Sequence, residues 1–193
     1  MTAKRVLFIN ACVRKQSRTK KLADYLISHL SGEISEVRIS DISFPTVDEA
    51  FLSKRDNLIM RRGFSSPLFT SARDFAAADV IVIAAPFWDL SFPAALKQYF
   101  EQVNVNGITF HYTEEGIPQG LCQAKKLYYV TTAGGPVYSD EYGFGYVKAL
   151  AQNFYGISDV ILVKAEGLDI VGADVEEILQ KTKQVIDTLE FGL

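Results

Sequence analysis

The chain has 193 residues, 48% hydrophobic and 22% charged, with a formal net charge of -3 and a pI near 5.4. That length supports one domain with a substantial core, expected over residues 1–193, and the slightly acidic balance gives no reason to expect a nucleic-acid partner. Lys4-Arg5, Lys20-Lys21, Arg61-Arg62 and Lys125-Lys126 are isolated basic pairs of the kind solvated faces carry, and no apolar run approaches the ~20 residues of a bilayer span, so no membrane insertion is expected. Cys12 and Cys122 have neither metal-ligand nor CxxC spacing, and the N-terminus lacks a signal-peptide layout. A cytoplasmic protein with reduced thiols and no metal site is therefore expected.

In chain order, residues 5–10 (RVLFIN) are an apolar run of strand length and read as a buried first strand. The loop ACVRKQSRT leads into KKLADYLISHL, where Leu22, Tyr25, Leu26 and Leu30 recur at helical spacing behind Ser17 as N-cap. Gly32 suits the helix stop, and residues 33–39 a weaker second strand. Two further helices are expected over 47–60 and 67–77, separated by Arg61-Arg62-Gly63. Residues 80–84 (VIVIA) form the most strongly apolar strand and break at Ala85-Pro86. Ser91 then reads as the N-cap, and Pro93 as a first-turn residue, of a helix burying Leu96, Tyr99, Phe100 and Val103. NGITFHYTEEGIPQG is a polar-aromatic excursion of hairpin type, at about 107–120. A strand over 126–131 ends in Thr132-Ala133-Gly134-Gly135, and a helix over 147–155 is stopped by Gly156. The last strand is expected over 160–165 and the last helix over 174–189, with Asp174 as cap and Glu176-Glu177 in its first turn.

Five near-continuously apolar strands alternating with helices imply a parallel sheet covered on both faces, a three-layer α/β fold. Strand order 2-1-3-4-5 is favoured over the dinucleotide-binding order, because the first turn lacks GxGxxG and only five strands appear. Ligands in such sheets lie outside the carboxyl ends of the strands around the switch point. After the first strand, Ser17, Arg18 and Thr19 open a helix whose N–H groups and dipole favour a phosphate; simple capping is the plain alternative. After the third, Pro86, Phe87, Trp88 and Asp89 offer ring faces and backbone amides to a flat heteroaromatic ligand, or simply apolar packing. After the fourth, Thr131, Thr132, Gly134 and Gly135 let a backbone approach a ligand edge, or form a flexible turn. A phosphate loop and two ring loops on one rim are what FMN demands.

The segments SRTKKLADYL, APFWDLSFPAALKQYFEQV, GITFHYTEEGIPQGL, VTTAGG and FYGISDV are similar to those of the flavodoxin-like NAD(P)H:quinone oxidoreductase and FMN-dependent azoreductase family, over nearly the whole chain. The resemblance implies a flavodoxin-like fold with FMN (FAD is the alternative) and NADH or NADPH as reductant. It also implies ping-pong transfer of two electrons to quinones, azo or nitro compounds. By the same likeness, Ser17, Arg18 and Thr19 bind the FMN phosphate, Pro86 to Asp89 cradle the ring and ribityl chain, and Thr131, Thr132, Gly134 and Gly135 meet the ring's edge. A homodimer is implied too, with Tyr112 and Phe154 approaching the partner's flavin. No acid–base side chain is obligatory. Tyr138 and Tyr142 are candidate donors to the acceptor, with plain surface tyrosines as the alternative, and His111 flanks the Tyr112 loop. The chain departs from the azoreductase branch at Asp89 (commonly Asn), Ala11 (commonly Ser) and Thr132-Ala133 (commonly Ser-Arg); these bear on substrate more than on FMN. A one-electron flavodoxin carrier and a non-enzymatic flavin-binding sensor share the fold; the excursion at 107–120 is more than a carrier needs.

Overall fold

In the computed structural model, which describes residues 4–192, the chain runs through seven strands and six α-helices. The strands are β1 (Arg5–Asn10), β2 (Glu33–Arg38), β3 (Val80–Ala84), β4 (Phe110–Tyr112), β5 (Pro118–Gly120), β6 (Lys126–Thr132) and β7 (Asp159–Ala165). The helices are α1 (Arg18–Ile27), α2 (Glu49–Met60), α3 (Thr70–Ala77), α4 (Ala94–Val103), α5 (Tyr146–Leu150) and α6 (Val175–Asp187). Five strands form one parallel sheet in the order β2-β1-β3-β6-β7, which is the expected 2-1-3-4-5 once the β4-β5 ribbon is set aside. No helix among the described residues is long and apolar enough to cross a membrane.

The apolar strands place the sheet between two cores. Leu7, Ile9, Ile81, Ile83, Leu127 and Tyr129 face a layer that includes residues of α3, α4 and α5; Val6, Phe8, Val80, Val82, Tyr128 and Val130 face α1 and α6. Every residue of central β3 is buried. Each Val, Ile or Leu buried in this way contributes on the order of 1.5–3 kcal/mol. The edge strand β2 is largely exposed, which accounts for its weaker sequence signal.

Strands β4 and β5 pair antiparallel, so the excursion expected at about 107–120 is a hairpin. Close packing fixes it: a Cβ on Gly120 would lie 2.2 Å from the Gly156 nitrogen. Only a glycine lets the ribbon lie on the chain where the preceding helical segment ends. Phe110 then packs 5.0 Å from Phe154 and 5.3 Å from Tyr112, ring centre to ring centre.

Several local expectations need correction. Ser91 does not cap α4, which starts at Ala94 behind Pro93 with no side-chain cap; Ser91 closes a tight turn instead. The helix expected over 147–155 is regular only in α5, between wider π-helical turns at Glu141–Gly145 and Ala151–Tyr155. The segment from Pro67 opens with a 3-10 turn, Pro67–Phe69, before α3. Ser17 and Asp174 open their helices as N-caps, and the left-handed Gly156 (φ 76°) closes its helical segment, as anticipated.

Candidate functional site

Four loops meet beyond the carboxyl ends of β1, β3, β6 and β7. The first leads into α1. Ser17 Oγ accepts from the Lys20 N–H at 3.2 Å, whereas the N–H groups of Arg18 and Thr19 have no acceptor among the described residues. These free donors lie at the positive end of the helix dipole, an arrangement that favours an anion. Thr19 is buried, and its Oγ1 lies 2.6 Å from Thr132 Oγ1, which ties α1 to the end of β6. Arg18 Nη1 donates to Asp169 Oδ1 at 2.7 Å and to the Leu168 carbonyl at 3.2 Å. Burial pushes the Cys12 thiol above its ordinary range, although Ser17 and Lys20 pull the other way. The thiol therefore stays protonated at neutral pH.

The second loop extends the ladder past β3. Phe87 N–H donates to the Thr132 carbonyl at 3.0 Å. Trp88 and Ser91 exchange both main-chain hydrogen bonds, at 3.0 and 2.8 Å, around Asp89 (φ 50°) and Leu90 (φ 68°). Positive φ at both central residues is the signature of a type I′ turn. The amides of Phe87 and Trp88, expected to face a ligand, are thus spent inside the protein, and these residues offer their rings. Asp89 rides on the turn tip and does not line the groove. Ser91 Oγ donates to the Tyr142 carbonyl at 2.6 Å, pinning the turn to the segment before α5.

The third and fourth loops are sewn together. Gly167, Leu168 and Asp169 N–H donate to the carbonyls of Gly135, Ala133 and Gly134 at 3.2, 3.2 and 2.8 Å. The N–H groups of Gly134 and Gly135 keep no acceptor among the described residues. A Cβ on Gly134 would fall 2.3 Å from Asp169 Oδ2. This glycine makes room for a neighbouring carboxylate, where a ligand edge was expected.

The loops enclose a groove of about 460 Å³, within the ~300–1,000 Å³ of small-molecule sites. Ser17, Arg18, Thr19, Pro86, Phe87, Trp88, Thr132 and Gly134, all anticipated from sequence, line it together. Thr131 does not: the pleat turns it to the opposite layer from Thr132, where its buried hydroxyl has no partner among the described residues. Gly135 lies just outside. Tyr112 (half-exposed) and Phe154 each pack on Phe110 of the ribbon and do not line the groove of their own chain. Tyr138 and Tyr142 are 88% and 58% exposed and do not line it, and His111 Nε2 pairs with Gln119 across the ribbon. Arg14, Gln16, Leu168 and Asp169 line the groove without having been singled out. The rule that ligands meet strand carboxyl ends covers the loop after β7 as well and would have found the last two.

Chemically, the groove offers free helix-start amides and two guanidinium groups against one carboxylate at one side. It also offers the Phe87 and Trp88 rings and the free Gly134 amide, with that of Gly135 just beyond its edge. That donor set fits a phosphorylated ligand with a planar ring, as FMN is. No cluster of three or more metal-ligating side chains occurs among the described residues.

A family model described as having the flavodoxin-like fold matches residues 4–189. The FMN-dependent NADH:quinone oxidoreductase of Lachnoclostridium phytofermentans is 37% identical over 193 residues, covering 93% of this chain and 94% of that one. The FMN-dependent NADH:quinone oxidoreductase 2 of Clostridium acetobutylicum is 38% identical over 189 residues, covering 92% and 94%. Among solved structures, an azoreductase from Bacillus anthracis superposes with a TM-score of 0.78 at 25% identity, covering 96% of this chain and all of that one.

Proposed function

This chain belongs to the flavodoxin-like family of FMN-dependent NADH:quinone oxidoreductases and azoreductases, and on that premise we propose that it binds FMN in the four-loop groove and transfers two electrons from NADH, or NADPH, to quinones and to azo or nitro compounds. One observation carries the reading: free amides at the start of α1, the Phe87 and Trp88 rings and the free Gly134 amide share one groove of about 460 Å³, with the free Gly135 amide just outside it.

In this proposal the N–H groups of Arg18 and Thr19, with the Ser17 hydroxyl and the guanidinium of Arg18, hold the phosphate. Thr19 and Thr132 keep the phosphate end of the groove in register with the end of β6. Phe87 and Trp88 flank the ring, Pro86 stiffens the turn, and Gly134 and Gly135 donate to the ring's edge. FMN held there supplies the hydride chemistry, and the protein supplies orientation and electrostatics. Reductant and acceptor take turns in one place, so the kinetics are ping-pong.

The functional unit is a homodimer, in which the ribbon carries Tyr112 and Phe154 to the partner's groove. Support comes from the exposure of Tyr112, Ile117 and Leu121 on and beside the ribbon. The whole chain acts as one domain in the cytoplasm. Steady-state turnover with NADH and NADPH against a quinone, an azo dye and a nitroaromatic tests the proposal. Parallel double-reciprocal lines with at least one acceptor are expected. Absence of turnover with every acceptor at full FMN occupancy would leave a flavin-binding sensor, and a stable one-electron reduced state without hydride uptake would leave a carrier.

A further inference from the structure

Arg18 is the cation nearest the start of α1, and its long side chain is 39% exposed. A free arginine there would sample many rotamers. Instead a single nitrogen, Nη1, is held by Asp169 and by the Leu168 carbonyl, which leaves the rest of the planar fork available. Asp169 is held in turn. Its own N–H bonds the Gly134 carbonyl at 2.8 Å, and its Oδ2 occupies the space a Gly134 side chain would fill. Gly134 has no positive φ, so its lack of a side chain answers to space and not to backbone conformation.

We propose that Asp169 is a positioning residue for the phosphate end of the flavin site. It fixes Arg18 in the orientation that receives the phosphate, and Gly134 is kept small so that it can. The inference rests on the FMN proposal above. The loop after β7 thereby becomes the fourth part of the site, acting on the ligand's phosphate through Arg18 and making no contact of its own with the ring. An anionic residue within an anion site would oppose binding if it faced the phosphate alone; its one-nitrogen contact with Arg18 makes it an anchor.

The test is titration of the purified full chain, freed of flavin, with FMN and separately with riboflavin, which lacks the phosphate. Fixing one rotamer-rich side chain is worth about three- to tenfold in affinity. Asp169→Ala is therefore expected to raise the FMN Kd by about that factor and leave the riboflavin Kd unchanged. Asp169→Asn, which keeps an oxygen for Arg18, is expected to recover most of the loss. Gly134→Ala, which displaces the carboxylate without deleting it, is expected to raise the FMN Kd in the wild-type background and to do so less in Asp169→Ala, where only the Asp169 Cβ stays close. An unchanged or tighter FMN Kd in Asp169→Ala overturns the proposal. So do equal shifts for FMN and riboflavin, which a merely structural role would give. Wild-type protein that takes up neither flavin overturns the FMN site itself and this inference with it, whereas failure confined to the variants removes only the role of Asp169.

Discussion

Leu90 holds φ 68° with more than half of its surface exposed, so it bears left-handed backbone strain with little burial in return. Its neighbour Asp89 tolerates such a conformation better, since short polar side chains are enriched there. Replacing Leu90 with glycine removes the strain at some cost in unfolded-state entropy, and a net gain of about 0.5–1 kcal/mol in urea unfolding is expected. A loss of stability would mean that the side chain packs against something. The Asp-Leu pair also explains why the turn escaped sequence reading. Type I′ turns are recognised by Asn-Gly or Asp-Gly, and with Leu second the stretch reads as a loop offering ring faces and backbone amides to a ligand. The thiols give a pH test. Burial alone pushes Cys122 from 9.0 up to about 12. The folded state thus holds this proton more tightly than the unfolded chain. The associated stability is fully present below the ordinary value and is lost as pH climbs from it toward about 12. Iodoacetamide is expected to label the native chain slowly at neutral pH and rapidly once it is unfolded in urea. Fast labelling of native protein would contradict the partial burial that shields both thiols.

At the scale of elements, the segment between β3 and α4 and the segment before α5 behave as one unit, because Ser91 Oγ reaches the Tyr142 carbonyl. Ser91→Ala is expected to cost about 0.5–1.5 kcal/mol and to speed amide exchange around Trp88 and Ser91, leaving β3 itself protected. Unchanged exchange would show that the ladder alone holds the turn. The sequence makes Ser91 look like a helix cap because a Ser directly before a helix with Pro in its first turn is the usual capping pattern, whereas the helix starts only at Ala94. The competing demand, pairing with Trp88, is invisible without the turn. Thr131 and Thr132 teach a similar lesson: strand alternation sends adjacent residues to opposite faces, so a strand end contributes one threonine to the groove, not two. In sequence the loop after β7 shows only as the stretch between a strand and a helix capped by Asp174. Its place on the rim rests on main-chain bonds to Ala133, Gly134 and Gly135, which leave no compositional mark.

For the whole molecule, the alternation of apolar strands with helices made the sheet order readable, because short crossovers between buried parallel strands leave few topologies. The rim followed from the order, and most of its groove-lining residues were legible with it. What stays beyond one chain is the ribbon, whose exposed Tyr112 and Ile117 suit a partner surface. Sedimentation is expected to show a dimer, and Tyr112→Glu to shift it toward monomer with loss of turnover; a fully active wild-type monomer would remove the interface from the account. The central claim, that the groove holds FMN and passes electrons through it in two separable steps, is tested most directly by anaerobic half-reactions. Protein loaded with FMN is mixed with NADH alone, and then, after removal of the nicotinamide, with a quinone alone. The account predicts stoichiometric bleaching of the bound flavin in the first step and its full return in the second, both weakened together with flavin affinity by Trp88→Ala. A chain that takes up no FMN, or one whose bound flavin is not bleached by NADH or NADPH, would contradict it.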